Sequence, residues 1–469
     1  MREMAGADAF FLYEETPARH MHTMKIIEVD PSTSQQPLTM ERVRQGAALV
    51  MPTRRAFRVR PVPIPFGLGH PFWADAPRLD RDYHFRHVLL EAPGGRDEFD
   101  ALVSRVASTP LARDRPLWQL YFVEGLAGGR AAYMVKIHHA VADGIASAHL
   151  VASSFDTAAD ARYDLASLVG AVNESVPRSR ALLAAALRRE IGRQRDLPSL
   201  LARSLRMIRA SIARRRSGSP APAPPFTGPP TRFNRRPTPN RVYAHTTVSL
   251  RDLRTCRRAF GCSLNDVFVT LAGGALRRYL AARGELPDAP LTAAVPVSIR
   301  GDQDDPHFGN ANFIWGVSTG SDTADPEERL RQVVRTTRAA RDAFAASDRR
   351  LPLDWLEFWA LRRLYLVWFP RLAGALLGRP SFNVILSNVP GPREPLYSDG
   401  ARVTAIRSMG PLTRAQGLNI TAWSYLDDFS IGIQACREHV PDVRVLADAF
   451  APELDALVAA AAKRRDPDV

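Results

Sequence analysis

Two adjacent histidines, followed by an acid and a glycine, form the part of this chain best suited to chemistry. Residues 138–144 read HHAVADG and come directly after the apolar run 131–135. A histidine at the end of a strand is a candidate general base, because small changes in its surroundings move the imidazole pKa across neutral pH. Gly144 lets the backbone turn or approach a ligand closely. The alternative is a buried histidine pair with a structural role alone.

The region before this segment predicts short strands and helices that would position it. Candidate strands are residues 24–29, 83–90, 117–124 and 131–137, and candidate helices are residues 97–107 and the stretch after Asp143. Strands mixed with helices in this way indicate an α/β fold built in layers. With 469 residues the chain is too long for one ordinary core, so we expect two domains.

The composition argues against several classes of protein. A hydrophobic fraction of 45% is that of a folded globular chain. No stretch approaches the roughly 20 apolar residues of a membrane span, and the first residues do not resemble a secretory signal. The three cysteines are odd in number and lack metal-site spacing, which favours a reducing cytoplasm (Cys256, Cys262, Cys436). The scattered histidines also show no metal-ligand spacing, so we expect no metal (His20, His22, His84, His87).

The net charge of +14 is concentrated in one segment. Residues 178–216 hold twelve arginines against two acids, and they read as helix interrupted by Pro198. Apolar residues at spacings of four, three and four would form one stripe on that helix (Leu201, Leu205, Ile208, Ile212), with arginines opposite (Arg203, Arg206, Arg209, Arg214). Such a helix suits an anionic membrane surface, or it packs its stripe on the protein as a crossover helix. Nucleic-acid binding is disfavoured, because no reader motif accompanies the charge.

A segment rich in proline, serine, glycine and threonine, residues 217–239, divides the chain. This composition is typical of an exposed or extended linker, so we place the domain boundary here. Beyond it the sequence predicts helices over 265–280 and 443–462, and strands over 242–250, 291–299, 312–317, 382–386 and 429–436.

Three of the seven tryptophans lie within fourteen residues, at Trp355, Trp359 and Trp368. Arginines flank them, and a proline interrupts the helix (Arg362, Arg363, Pro370, Arg371, Arg379). One interpretation is a buried helical hairpin with its aromatic rings in the core. The other is a patch at a lipid surface, because tryptophan favours the boundary between water and lipid.

Taken together, the motifs resemble those of the bacterial bifunctional wax ester synthase/diacylglycerol acyltransferases. Their order along the chain is that of the family: DAFFL at 8–12, PLW at 116–118, HHAVADG at 138–144, NDV at 265–267, PVSIR at 296–300, GN at 309–310, SNVPGP at 387–392 and LNI at 418–420. This family is part of the superfamily of CoA-dependent acyltransferases with a chloramphenicol-acetyltransferase-like fold. The resemblance therefore implies two such α/β domains, each a mixed sheet with flanking helices, and an active-site tunnel between them.

The resemblance also implies a division of the chain and a role for each half. We expect an N-terminal acyltransferase domain over 1–177 that carries HHAVADG, and a C-terminal acyltransferase domain over 241–469. Between them, residues 178–240 would form the basic amphipathic crossover and the proline-rich linker.

Site residues follow from the same resemblance, motif by motif. His139 would be the general base, and His138 would orient it or pack beside it. Asp143 would pair with Arg300 and fix the geometry of the site, although a second basic role is the alternative, and Gly144 would support the turn. Candidate substrate-binding residues are Asn265, Asp266, Asn310, Ser387 and Asn388. For the first two, capping of a helix is the competing interpretation, and for the other three it is turn formation.

The expected reaction is transfer of a long-chain acyl group from acyl-CoA, as co-substrate, to diacylglycerol. No further cofactor is expected. A long-chain alcohol, giving a wax ester, is the alternative acceptor. A condensation module of peptide or polyketide assembly and a non-catalytic lipid-droplet protein are more distant alternatives. The family's substrates imply a cytoplasmic enzyme held peripherally at membranes or lipid droplets.

Overall fold

The computed structural model describes residues 2–76, 79–160, 179–217, 222–359, 372 and 376–465. The helices in these residues are α1 (Gly6–Glu14), α2 (Met40–Val50), α3 (Arg55–Arg58), α4 (Arg81–His84), α5 (Arg96–Ala107), α6 (Gly144–Ala152), α7 (Ser179–Arg193), α8 (Leu197–Arg216), α9 (Leu250–Phe260), α10 (Leu264–Ala281), α11 (Pro326–Ala345), α12 (Leu351–Leu356), α13 (Val443–Asp448) and α14 (Phe450–Arg465).

The strands are β1 (Arg2–Glu3), β2 (His22–Asp30), β3 (Val59–Val62), β4 (Phe72–Asp75), β5 (Phe85–Leu89), β6 (Trp118–Leu126), β7 (Arg130–His138), β8 (Arg241–Ser249), β9 (Thr292–Ser298), β10 (Asn312–Ser318), β11 (Val384–Val389), β12 (Tyr397–Ser398), β13 (Ala401–Met409), β14 (Leu418–Tyr425) and β15 (Asp428–Cys436). They form two six-stranded sheets and a small sheet of order β1-β4-β3. The chain is therefore a mixed α/β protein with two sheet-rich halves, as the sequence predicts.

The first sheet has the order β12-β13-β2-β7-β6-β5 and is antiparallel except for the pair β5 and β6. Its central strands are buried on both faces. Met24 and Ile26 pack with α5, whereas Ile27 and Val29 pack into the larger core on the other face. Strand β7 is largely apolar, as expected for a strand covered on both faces, whereas β2 also buries Lys25 and Glu28.

The second sheet has the order β10-β9-β11-β14-β15-β8, with β11 parallel to both of its neighbours. Its other pairs are antiparallel. Helices α9, α10, α11, α13 and α14 supply buried residues to the core on this sheet. The tight turn between α9 and α10 is made by Gly261, whose backbone adopts φ +60° at the end of α9.

The two halves are joined by an exchanged strand and by a helix. Strand β13 lies within the second half of the sequence, between β11 and β14, but pairs with β2 of the first sheet. On the other side, α5 lies against the edge strand β8, where the Ser104 hydroxyl accepts a hydrogen bond from the Tyr243 N–H at 2.8 Å. The contact between the two halves therefore includes a shared strand pair, β13 with β2, and the packing of α5 on β8.

Several predicted elements have different bounds in the structure. The strand predicted over 83–90 begins at Phe85, because Tyr83 and His84 belong to α4, which Asp80 caps. Residues 443–462 form two helices with a break at Ala449. The basic helix is interrupted by a 3-10 turn at Gln194–Asp196, and Pro198 lies in the first turn of α8, where proline is tolerated.

The segment after α8 packs on the second sheet where the structure describes it. The N–H of Ala223 donates to the carbonyl of Gly316 in β10 at 3.0 Å, and Phe233 is fully buried. Of the two predicted alternatives, an exposed or an extended linker, the first does not describe this part, because an apolar side chain and backbone hydrogen bonds hold it against the core.

Candidate active site

The segment HHAVADG lies where β7 ends and α6 begins. His138 is the last residue of β7, and Asp143 caps α6 through a hydrogen bond from the N–H of Ala146 to its carboxylate at 2.9 Å. The N–H of His139 donates to the carbonyl of Met21 at 2.7 Å, which holds the turn beside the start of β2. Because the turn follows directly from a strand of a rigid sheet, its polar side chains are held in defined positions.

A loop of the second half docks on this turn. Residues 299–311 connect β9 to β10, and the N–H of Gly309 donates to the carbonyl of Val141 at 2.7 Å. The N–H of Asp143 in turn donates to the carbonyl of Gly309 at 3.3 Å. The segment HHAVADG therefore lies at the contact between the two halves.

The His139 imidazole has one nitrogen engaged and one free. Its Nδ1 lies 3.0 Å from the Asn310 Oδ1, and its Nε2 makes no hydrogen bond to any residue that the structure describes. Phe11 stacks on the ring with a centroid distance of 4.1 Å. The residue is partly exposed, although His138 and Ala140 on either side are fully buried.

Burial lowers the pKa of His139 to about 4, although the nearby Asp143 carboxylate opposes the shift. The surrounding protein excludes much of the water that would solvate an imidazolium, so the neutral form of the ring is favoured. The ring is therefore neutral at neutral pH, which is the state a general base requires.

Asp143 is a fully buried carboxylate whose oxygens are all engaged. Besides capping α6, it accepts hydrogen bonds from the Arg300 Nη2 at 2.9 Å and from the N–H of Ala311 at 3.0 Å. The Arg300 guanidinium also donates to the carbonyl of Gly309 at 2.9 Å. Asp143 thus joins α6 to the docked loop, and this geometry favours the architectural role over that of a second base.

His138 has partners different from those of its neighbour. Its Nδ1 accepts a hydrogen bond from the N–H of Ala140 at 3.0 Å, and its Nε2 lies 3.4 Å from the Glu15 carboxylate. Burial raises the pKa of Glu15, but contacts with His138 and Arg113 outweigh it and lower the value to about 2. His138 therefore supports the turn through its contacts with Ala140 and Glu15.

Gly144 begins α6 and faces strand β11 of the second sheet. A Cβ at this position would lie 3.3 Å from the Val389 Cγ2. The glycine is thus explained by close packing between the two halves.

Asn265 and Asp266 lie at the start of α10. Asp266 is buried and forms a capping box with Ser263, and its carboxylate also accepts a hydrogen bond from the Thr337 hydroxyl at 2.6 Å. It borders a cavity of about 350 Å³ whose lining includes three arginines (Arg257, Arg338, Arg341). The structure shows no contact between these two residues and the His139 turn, so it favours the capping interpretation of Asp266.

Ser387 and Asn388 lie within strand β11, where they pair with Thr421 and Ala422 of β14. Turn formation is therefore wrong as the alternative explanation for these two residues, because they lie in a strand that ends just before Pro390. Asn310 does lie in a loop and contacts His139 directly.

Three residues near the site received no role from the sequence. Asp8 accepts hydrogen bonds from the backbone and side chain of Asn310, and Phe11 covers the His139 ring.

Lys25 is buried at 3% exposure, donates to the Ser408 and Thr23 hydroxyls, and lies over the Trp423 ring. Burial lowers the pKa of Lys25 to about 7. Its rarity was a usable signal, because only Lys25, Lys136 and Lys463 are lysines in this arginine-rich chain.

Comparison with protein families identifies the class. Residues 4–268 match the model of the wax ester synthase/diacylglycerol acyltransferase catalytic domain, and residues 309–458 match the model of the corresponding C-terminal domain. The chain belongs to the wax ester synthase/diacylglycerol acyltransferase family.

Relatives along nearly the whole chain agree with this assignment. A Mycobacterium tuberculosis protein named as a diacylglycerol O-acyltransferase is 36% identical over 452 residues, covering 94% of this chain and 92% of its own length. A second protein of that organism with the same name is 34% identical over 466 residues, covering 98% and 90%. A Mycobacterium bovis protein of that name is 32% identical over 464 residues, covering 97% and 90%.

Solved structures show the same fold. The wax ester synthase/diacylglycerol acyltransferase of Marinobacter aquaeolei VT8 matches with a TM-score of 0.71 at 23% identity, covering 98% of this chain and all of that one. The first condensation domain of the calcium-dependent antibiotic synthetase matches with a TM-score of 0.59 at 18% identity, covering 98% and 97%. The two-domain fold expected from the sequence is therefore confirmed.

No helix in the described parts of the chain is by itself long and apolar enough to cross a membrane. The pair α9 and α10 meets the length and composition criteria together, but it is bent by 106° and its apolar residues lie in the core of the second half. The described residues also contain no group of side chains suited to a metal ion.

Proposed function

We propose that this chain transfers a long-chain acyl group from acyl-CoA to diacylglycerol, forming triacylglycerol, with His139 as the general base. The observation that carries the proposal is the His139 ring itself. It is neutral and partly exposed, its Nδ1 is held by Asn310, and it lies where the two halves of the fold meet.

The free Nε2 of His139 would take the proton of the acceptor hydroxyl. The hydroxyl oxygen then bonds to the thioester carbonyl carbon, and the carbon–sulfur bond breaks as the tetrahedral intermediate collapses. The imidazolium returns its proton to the departing CoA thiolate, so the products are an ester and free CoA. A positioned base contributes about 10²–10⁴-fold to such a reaction, and holding both substrates together supplies much of the rest.

Transfer to a long-chain alcohol is the alternative, because the family includes wax ester synthases. Both acceptors present the same hydroxyl to the same base. The choice between them depends on how the rest of the acceptor fits and not on the catalytic group.

The acceptor is tested with labelled palmitoyl-CoA and three acceptors: 1,2-dioleoylglycerol, hexadecanol and hexadecylamine. We expect labelled triacylglycerol in the first reaction and little amide in the third. Wax ester without triacylglycerol would replace our first choice of acceptor by the alternative. Amide as the main product would support condensation-type chemistry, and unreacted palmitoyl-CoA throughout would contradict catalysis.

We also propose that the chain binds lipid surfaces peripherally through α8. The packed side of α8 is formed by Leu197 and Leu200, which contact α12, and the Trp355 Nε1–H donates to the Ser204 hydroxyl at 2.9 Å. The predicted apolar stripe lies beside this contact and is about half exposed (Leu201, Leu205, Ile208, Ile212). Exposed leucines and isoleucines next to arginines suit an anionic membrane or a lipid-droplet surface.

Two details refine the sequence prediction for this region. Arg203 is not part of a free basic face, because it pairs with Asp348 and Asp354 beside α12. Trp355 packs on the protein, as the buried interpretation expects, and Trp359 is partly buried. Trp368 and the arginines at 362, 363 and 371 lie outside the described residues. We retain the division into 1–177, 178–240 and 241–469 as a proposal.

A further inference from the structure

We propose that Asp8 and Asn310 form a positioning pair that fixes the His139 imidazole with its proton on Nδ1 and leaves Nε2 bare. Its kinetic readout rests on the acyltransferase function proposed above, whereas its spectroscopic readout does not. Asn310 would then act on the base and not on the substrate.

The orientation of the Asn310 amide follows from its neighbours. One atom of the amide lies 2.8 Å from the backbone carbonyl of His139, and a carbonyl oxygen only accepts hydrogen bonds. That atom must be Nδ2, which also donates to the Asp8 carboxyl at 2.9 Å. The amide oxygen therefore faces the His139 Nδ1 at 3.0 Å, and Nδ1 must be the donor.

Both hydrogens of the Asn310 amide are used in these contacts. An amide group has two N–H donors, and here one bonds to Asp8 and the other to the His139 carbonyl. No donor remains for a substrate oxygen. The arrangement thus explains why an asparagine suits this position, since it donates on one side and accepts on the other.

Asp8 holds Asn310 from the opposite side. Its Oδ1 accepts from the backbone N–H of Asn310 at 2.8 Å as well as from the side chain, and the residue is buried at 4% exposure. Gly309, next to Asn310, adopts φ +80°, a backbone conformation that residues with a side chain rarely adopt. Two hydrogen bonds therefore hold this loop of the second half against an acid of the first helix.

Helix α1 contributes a second contact to His139, from the same side of the helix as Asp8. Phe11 follows Asp8 by three residues, so both side chains lie on one side of the helix. Phe11 stacks on the His139 ring while Asp8 acts through Asn310 on its Nδ1. Together they restrain the ring in two directions, which gives the DAFFL motif a role in positioning the base.

The direct test is the tautomer of His139 in the resting protein. Nitrogen NMR of ¹⁵N-histidine-labelled protein, with the His139 signals assigned by their loss in His139→Gln, should show a proton on Nδ1 at pH 7. In Asn310→Ala the signals should move towards a mixture of the two tautomers. A parent enzyme with the proton on Nε2 would overturn the proposal, whether or not the chain makes triacylglycerol.

Kinetics test whether the pair acts as a unit. Asn310→Ala should lower kcat by about 10²-fold with KM changed less than twofold, because a displaced base affects the chemical step more than binding. Asp8→Ala should lower kcat in the same way, and Asp8→Asn, which keeps the acceptor oxygen, should recover most of that loss.

The double variant Asp8→Ala/Asn310→Ala should lose no more activity than Asn310→Ala alone. Losses that multiply, or an Asp8→Asn enzyme as impaired as Asp8→Ala, would contradict the positioning pair. Thermal unfolding of each variant shows that the protein assayed is folded.

Discussion

At the scale of single residues, adjacent histidines differ because their partners differ. His138 faces the Glu15 carboxylate and its own turn, whereas His139 contacts Asn310 and Phe11. The first is fully buried and the second keeps some exposure. A base needs one nitrogen held and the other accessible, and of the two histidines His139 has this arrangement.

Asp8 should make the stability of the protein depend on pH. Burial raises the pKa of Asp8 to about 7, and the nearby Asp143 and Glu357 carboxylates act in the same direction. The folded state therefore holds this proton more tightly than the unfolded state does. The free energy of unfolding should decrease as pH rises from about 4 through 7, by about 4 kcal/mol at most.

Asp8→Asn removes that ionisation, so the variant should gain stability relative to the parent between pH 5 and pH 8. Urea unfolding at each pH measures the difference, and Asp288→Asn, at an exposed acid, is the matched control. A difference between Asp8→Asn and the parent that stays constant with pH would contradict the proposed burial of a titrating acid.

At the scale of elements, the site depends on a loop of one half that docks on a turn of the other. The ion pair of Asp143 with Arg300 joins α6 to the loop 299–311, and both side chains are almost completely buried. Removing one partner would leave the other charge buried without compensation. Such losses typically cost about 3–5 kcal/mol.

We therefore expect Asp143→Ala to unfold at clearly lower urea concentration than the parent and to lose turnover as well. The control is Asp427→Ala, which removes an exposed partner of Arg254 and should cost less than about 1 kcal/mol. A well-folded Asp143→Ala enzyme whose only defect is a higher substrate requirement would show that the pair has no architectural role.

The sequence predicts best those elements whose pattern is local. Strand β7 is largely apolar, β2 has apolar residues from Met24 to Val29 interrupted by two charged ones, and the start of α10 carries its own capping residues. Strand β13 is harder to recognise, because Arg407 and Ser408 are buried against partners on β2, Glu28 and Lys25. Helix α11 also carries local signals, since Asp325 caps it and Pro326 begins it, although no helix is predicted there from the sequence.

In the candidate site, too, local motifs are predictable from the sequence and contacts between distant residues are not. The histidine motif and the pair of Asp143 with Arg300 follow from motif resemblance. The contact of Asp8 with Asn310 does not, because it joins residues 302 positions apart and needs the fold to bring them together. For the same reason Lys25 was visible only as an unusual residue, without a partner to suggest its role.

At the scale of the whole molecule, charge and exposed apolar surface coincide on α8. Ile208 is 51% exposed there, and Val445 on α13 is equally exposed, outside this surface. Ile208→Glu should weaken co-sedimentation with vesicles of phosphatidylglycerol and phosphatidylcholine several-fold, because it puts an acid in the apolar face. Val445→Glu should have little effect.

Binding by the parent should also weaken with added salt, since the arginines contribute through charge. Equal loss of binding in both variants, or none in either, would show that α8 does not carry the contact. DNA retention measured in parallel distinguishes membrane attachment from nonspecific binding of a protein with net charge +14.

General-base catalysis by His139 is tested most directly by ester formation from palmitoyl-CoA in His139→Ala compared with His87→Ala. His87 lies on the edge strand β5 with an exposed side chain, so it controls for loss of a histidine. We predict that His139→Ala loses about 10²–10⁴-fold in kcat while His87→Ala retains parental activity. Full activity in a folded His139→Ala enzyme would contradict general-base catalysis at this site.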